Sequence, residues 1–183
     1  NIGRIGRACF TAMAAFSLGL MRAQILTIED YTMSEQETPV FSIEKVYVKD
    51  ASLEIPHAPR VFLEGEAPEV DMQMHTQAYF IDEGYYESVL TVTVTAKNDE
   101  KVFFLVEVAQ AAIFQIRHIP EEDLNPVLGI ACPNILFPYA RETVAGLVSK
   151  GSFPQLNLAP VNFDALFAAH MAKLEAEQET VSH

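Results

Sequence analysis

A chain of 183 residues, half of them hydrophobic and a fifth charged, can build one folded core and is too apolar for a disordered polymer. Its formal net charge of −13 argues against a surface that holds nucleic acid or anionic lipid and favours basic partners, or unfolded chains with basic segments. The two cysteines, Cys9 and Cys132, form no C-x-x-C pair and no metal-type spacing, so there is no disulfide framework, and Cys132 beside Pro133 reads as a buried reduced thiol.

Asn1 to Thr32 differs in character from the rest of the chain. Arg4 and Arg7 precede the apolar run Ala8 to Met21, a pattern that mimics a secretory signal. The run is shorter than the roughly 20 apolar residues of a spanning helix. Met33-Ser34-Glu35-Gln36 then opens an acidic polar stretch like a natural cytosolic start, so residues 1–32 read as an over-extended or added leader, with a true signal or anchor as the other reading. Gly3-Arg4-Ile5-Gly6 lacks the third glycine and the preceding strand of a dinucleotide-binding loop. A polar tail, 33–39, leads to the folded body.

From Val40 the pattern takes period two. Val40 to Ile55 is expected as a first strand, with Phe41, Ile43, Tyr47, Leu53 and Ile55 on one face and Asp50, Ser52 and Glu54 on the other. Pro56 and Pro59 end it, and Ala58 to Pro68 reads as a crossover loop. Val70 to Ile81 is a second strand, alternating Val70, Met72 and Met74 with Asp71, Gln73 and His75. A turn at Asp82-Glu83-Gly84 leads to Tyr85–Ala96, rich in Val, Thr and Tyr as strands are. Val102 to Ile119 is a fourth strand, and successive hairpins imply an antiparallel sheet.

Glu121-Glu122-Asp123 reads as an acidic loop and Pro133 to Lys150 as a helix that Gly151 stops. Pro138 is expected to kink that helix or mark its first turn. After a proline-bounded linker, Phe153 to Pro160, Asn162 caps a second helix. There Phe163, Leu166, Phe167, His170, Met171 and Leu174 fall at spacings of three and four, one apolar stripe. Residues 175–183 are a polar, flexible tail. Strands first and helices after make an α+β domain over 40–174, and a protomer of this size leaves apolar area for assembly or binding.

No catalytic constellation emerges. The sequence contains no G-x-S-x-G elbow, no phosphate-binding glycine loop and no H-E-x-x-H. His57, His75, His118, His170 and His183 never fall at metal-ligand spacing. Neither a cofactor nor a resident metal is expected, and the chain does not read as an enzyme.

Two strings in the C-terminal half, CPNILFPYARE (132–142) and FPQLNLAPVNFDALF (153–167), closely resemble the SecB export-chaperone family. KVYVKDASLEIPHAPRVF (45–62), YYESVLTVTVTA (85–96) and the MSEQ start are similar to it too, and the likeness covers 40–174 but not 1–32. The resemblance implies a homotetramer, a dimer of dimers, each protomer with a four-stranded antiparallel sheet followed by two helices. It implies a cytoplasmic, ATP-independent holdase that keeps secretory precursors unfolded and passes them to SecA, with no nucleic acid and no stable membrane insertion.

By the same resemblance, Asp50, Glu54, Leu105 and Glu107 dock the zinc-bearing C-terminal tail of SecA, the zinc being the partner's. Asp50 and Glu54 share a parity on their strand, and Leu105 and Glu107 share one on theirs, so each pair lies on one face. The client groove implied by the family would draw on the crossover loop, the second strand and the last helix: Val61, Phe62, Val70, Met72, Met74, Phe167 and Met171. Met and Phe adapt to varied side chains. The competing readings are a SecB-like chaperone dedicated to a toxin–antitoxin system, a secreted or membrane-tethered β-rich binding module, and a small-molecule enzyme.

Overall fold

The computed structural model describes residues 38–65 and 67–181; the leader expected over 1–32 lies outside them, as does most of the polar tail. Four strands, β1 (Val40–Glu54), β2 (Glu69–Asp82), β3 (Tyr85–Asn98) and β4 (Lys101–Arg117), form one antiparallel sheet in the order β1-β4-β3-β2. The crossover expected at 58–68 is present: the chain leaves β1 at one edge, makes a 3-10 turn at Arg60–Leu63 and enters β2 at the opposite edge.

Period-two sequence becomes a two-faced sheet. The even positions of β3 and β4, with Val92, Val94, Val106, Val108 and Phe114 all 0% exposed, face the helices. Burying one such side chain contributes roughly 1.5–3 kcal/mol. β1 breaks the expected parity. Its register against β4 slips between Ile43 and Lys45 and again between Val48 and Asp50. Each one-residue bulge turns the following side chains to the other face. Phe41 and Ile43 therefore lie on the helix side, as do Val46, Val48 and Leu53. Tyr47, expected with them, pairs with Ala111 and faces outward.

The helical half starts earlier than the sequence suggests. Glu121, Glu122 and Asp123 are not a loop but the first turn of α1 (Glu121–Pro126), where acidic side chains suit the partial positive charge of a helix N-terminus. A π turn, Val127–Ala131, carries the chain into α2 (Cys132–Lys150), and Pro138 lies inside α2, not at its first turn. Pro133 removes the amide that would bond to Gly129, within the π turn.

The end of α2 is a two-bond cap, Ser152 N–H to Ser149 C=O at 3.1 Å and Phe153 N–H to Val148 C=O at 3.3 Å. The left-handed residue there is Ser152, at φ 64°, and not Gly151. Gly151 lies close to its neighbours: a Cβ would stand 3.0 Å from Leu53 Cδ2 and 3.2 Å from the Val148 carbonyl oxygen, a tight fit that those atoms would have to give way to. Asn162 caps α3 (Phe163–Val181) as expected, its Oδ1 accepting from the Ala165 N–H at 3.0 Å. The helix runs past the expected boundary at 174. α2 packs on β3 and β4, and Leu136, Ala140, Val144 and Val148 close the core.

Candidate functional site

Two surfaces flank this core. The first is the face of the sheet away from the helices. Register pairs Glu54, Ser52 and Asp50 of β1 with Leu105, Glu107 and Ala109 of β4, and these in turn with Thr95, Thr93 and Thr91 of β3. Opposed residues of an antiparallel pair point to the same side, so Asp50, Glu54, Leu105 and Glu107 form one patch across adjoining strands. Asp50, Glu54 and Glu107 are exposed and Leu105 is half-buried. Asp50 and Glu54, four residues apart, are separated by about 13 Å of strand. Thr93 Oγ1 donates to Glu107 Oε2 at 3.0 Å and sets that carboxylate. The patch is therefore three carboxylates around one apolar side chain on a rigid strand surface.

Further along the same face is a network the sequence did not disclose. Tyr47, turned outward by the first bulge, donates its hydroxyl to Glu87, and Lys49 Nζ lies 2.8 Å from Glu87 Oε2. Burial pushes the Tyr47 phenol up to about 12, and the Glu87 hydrogen bond and charge add to that. Burial also pushes the Glu87 carboxyl up, but the hydrogen bonds from Lys49 and Tyr47 outweigh it and hold the group below its ordinary value.

The second surface is a cleft of about 520 Å³ between β2, the π turn and α3. Met74, Thr76 and Ala78 line it from the strand; Leu128 and Gly129 come from the turn, and Leu166, Phe167 and His170 from the helix. Gly129 makes the cleft possible. A Cβ there would fall 2.4 Å from Phe167 Cδ2, so the ring lies directly on the backbone of the π turn. The structure thus brings Met74 and Phe167 together. Val70 and Met72 continue the same side of β2, the first exposed and the second half-buried, and Met171 is exposed one turn beyond Phe167.

Two other groove positions fall elsewhere. Val61 is 2% exposed and belongs to the core, so it presents no surface for a client. Phe62 is exposed on one side and packs against Phe153 at 5.4 Å between ring centroids, with Phe153 in turn 4.8 Å from Phe104. Leu128, Gly129 and Thr76 were not expected in the cleft. Gly129 in an apolar run ahead of Cys132-Pro133 was the one signal for it.

Among the described residues no group of three or more His, Cys, Asp or Glu side chains is placed to hold a metal ion. Cys132 is a free, buried thiol, pushed up to about 12 by burial. No helix among the described residues is long and apolar enough to cross a membrane.

The family model described as preprotein translocase subunit SecB matches residues 34–174. The protein-export protein SecB of Chromobacterium violaceum is 61% identical over 143 residues, covering 77% of this chain and 95% of that protein. Its counterpart in Methylobacillus flagellatus is 54% identical over 140 residues, covering 76% and 89%. Among solved structures, a SecB-like chaperone of Mycobacterium tuberculosis, in complex with a peptide from an antitoxin, superposes with a TM-score of 0.56 at 18% identity, covering 67% of this chain and 91% of that one; at that identity the likeness is one of fold. Sheet, helices and matches together define an α+β protein of the export-chaperone class. The chain belongs to the SecB family.

Proposed function

We propose that this protein is an ATP-independent holdase of the cytoplasm that binds unfolded secretory precursors as a homotetramer and delivers them to SecA. The observation that carries the reading is the register that gathers Asp50, Glu54, Leu105 and Glu107 on the face opposite the helices. Three carboxylates around a half-buried leucine suit a basic peptide that brings one apolar contact, and charge of this kind sets encounter rate and specificity. The zinc-bearing tail of SecA is the partner for that patch, and the zinc is the partner's own. The cleft between β2 and α3 is the client side, with Met72, Met74, Phe167 and Met171 as adaptable contacts.

The mechanism requires no chemistry on the client. Unfolded precursors expose extended apolar segments and folded ones hide them, so binding the unfolded state preferentially draws the equilibrium away from folding. Several modest sites on one assembly raise the effective concentration of the next. Identity of 54–61% to protein-export proteins, against 18% to the chaperone seen with an antitoxin peptide, favours the export role over a dedicated client.

The test is refolding of a slow-folding denatured precursor mixed with the full chain, with and without a peptide of SecA's zinc-bearing tail. Wild type is expected to arrest refolding at stoichiometric ratio without nucleotide. Asp50→Ala/Glu54→Ala is expected to arrest equally and to bind the tail at least about tenfold more weakly, as expected on losing two charged contacts. Refolding that proceeds untouched would refute the holdase reading.

A further inference from the structure

Asp50 of the acidic patch is preceded in the chain by a cation. Lys49 occupies the second bulge of β1, where the register steps from Val48 opposite Gln110 to Asp50 opposite Ala109 and leaves Lys49 without a partner of its own. A residue taken out of the pairing escapes strict alternation. Lys49 therefore reaches Glu87 on the same outer face to which Asp50 points. A lysine beside an aspartate on one exposed surface is its natural counterion, and a paired Asp50 has less charge to offer a basic peptide.

The fold draws the lysine elsewhere. Lys49 Nζ lies 2.9 and 2.8 Å from the two carboxylate oxygens of Glu87, two strands away on β3, and 5.4 Å from the centre of the Tyr79 ring on β2. The ring is a second seat for the cation. Tyr47 donates its hydroxyl to Glu87 from the other side of the bulge. Burial pushes the Glu87 carboxyl up, but the hydrogen bonds from Lys49 and Tyr47 outweigh it, so the group is ionised at neutral pH. Its side chain is 14% exposed, well covered for a carboxylate on the outer face. Asp50 and Glu54, by contrast, are exposed and make no ion pair among the described residues.

We propose that Glu87 is a positioning residue for the docking patch: it holds Lys49 away from Asp50 and so leaves the Asp50 carboxylate to a basic partner. Glu87 acts through Lys49 and needs no contact with the partner itself. Tyr47 and Tyr79 fix the two ends of the bridge, one by its hydroxyl and one by its ring. The inference rests on the docking reading and deepens it by naming what keeps the patch unmasked.

The experiment measures binding of the zinc-loaded SecA tail peptide to the full chain at low salt, where exposed charges act most strongly. Glu87→Gln frees Lys49 to pair with Asp50 and is expected to weaken binding about twofold to fivefold, the range of an exposed ion pair. Lys49→Met added to Glu87→Gln removes the competing cation, and affinity is expected to return to that of wild type or above. In an Asp50→Asn background Glu87→Gln is expected to change nothing, because no aspartate is left to mask. Affinity unmoved by Glu87→Gln alone would overturn the proposal. An equal loss with and without Asp50 would overturn it too, by showing that Glu87 acts through its charge on the whole face. So would a loss that Lys49→Met does not reverse, by showing that the network only shapes the sheet. A wild type that binds no peptide removes the docking reading, and the proposal with it. Binding by wild type that Asp50→Ala/Glu54→Ala weakens keeps the docking reading whatever Glu87 does.

Discussion

Glu87 is the residue whose protonation the fold constrains most plainly. It accepts from Tyr47 and pairs with Lys49, and these contacts hold its carboxyl below the ordinary value of 4.5. A carboxylate whose folded value is depressed adds stability that is present in full above the unfolded value and is lost as pH falls through the folded one. Denaturant titrations of wild type and Glu87→Gln are expected to differ by about 1 kcal/mol or less at neutral pH, the size of a partly exposed pair. The difference should shrink as the pH is lowered past 4.5, and a difference that grows on acidification would contradict the assignment. The network was not legible in the sequence because it depends on a bulge. By strict alternation Tyr47 belongs with Phe41 and Leu53, and only the slipped register places it over Glu87. Asp50 and Glu54 were legible as a pair because both come after the second bulge and so keep one parity.

At the scale of elements, composition located the strands because β3 and β4 alternate cleanly, and Asn162 announced α3 through its capping oxygen. Helix onset was harder. Glu121-Glu122-Asp123 is as polar as any loop, and three prolines, at 126, 133 and 138, argued against one long helical run. The chain keeps the run by inserting a π turn between α1 and α2, and π turns are enriched at functional positions. Here the turn carries Gly129, on which Phe167 rests. Gly129→Ala would put a methyl group into the ring, and overpacking of that kind costs about 1–3 kcal/mol. The expected outcome is faster hydrogen exchange across α3 and weaker client binding, with β3 and β4 amides unchanged. Phe167→Leu added to Gly129→Ala should restore much of the protection. Without that rescue, the glycine would matter for the turn itself and not for seating the helix.

Among the described residues, the protomer keeps large apolar side chains at its surface. α2 packs over β3 and β4 and leaves the helix-side margin of β1 open, where Phe41, Ile43 and Val48 are 40%, 45% and 48% exposed. A strip of this kind is where the subunit contact of the proposed tetramer is expected. In a two-fold interface the same strip appears on both partners, so one substitution is felt twice. Burying an isoleucine or valine contributes roughly 1.5–3 kcal/mol; doubled by symmetry, its loss weakens association by about a hundredfold to ten-thousandfold. Ile43→Asp and Val48→Asp are therefore expected to break the proposed tetramer into smaller species in sedimentation velocity, with a far-ultraviolet spectrum unchanged because β1 stays hydrogen-bonded to β4. Leu174→Asp, on the exposed stripe of α3, serves as the comparison and is expected to leave the mass unaltered. If Leu174→Asp dissociates the assembly and the β1 variants do not, the helices and not the β1 margin hold the protomers together. Client binding would then have to share α3 with the subunit contact, and the refolding arrest should weaken in step with the loss of mass.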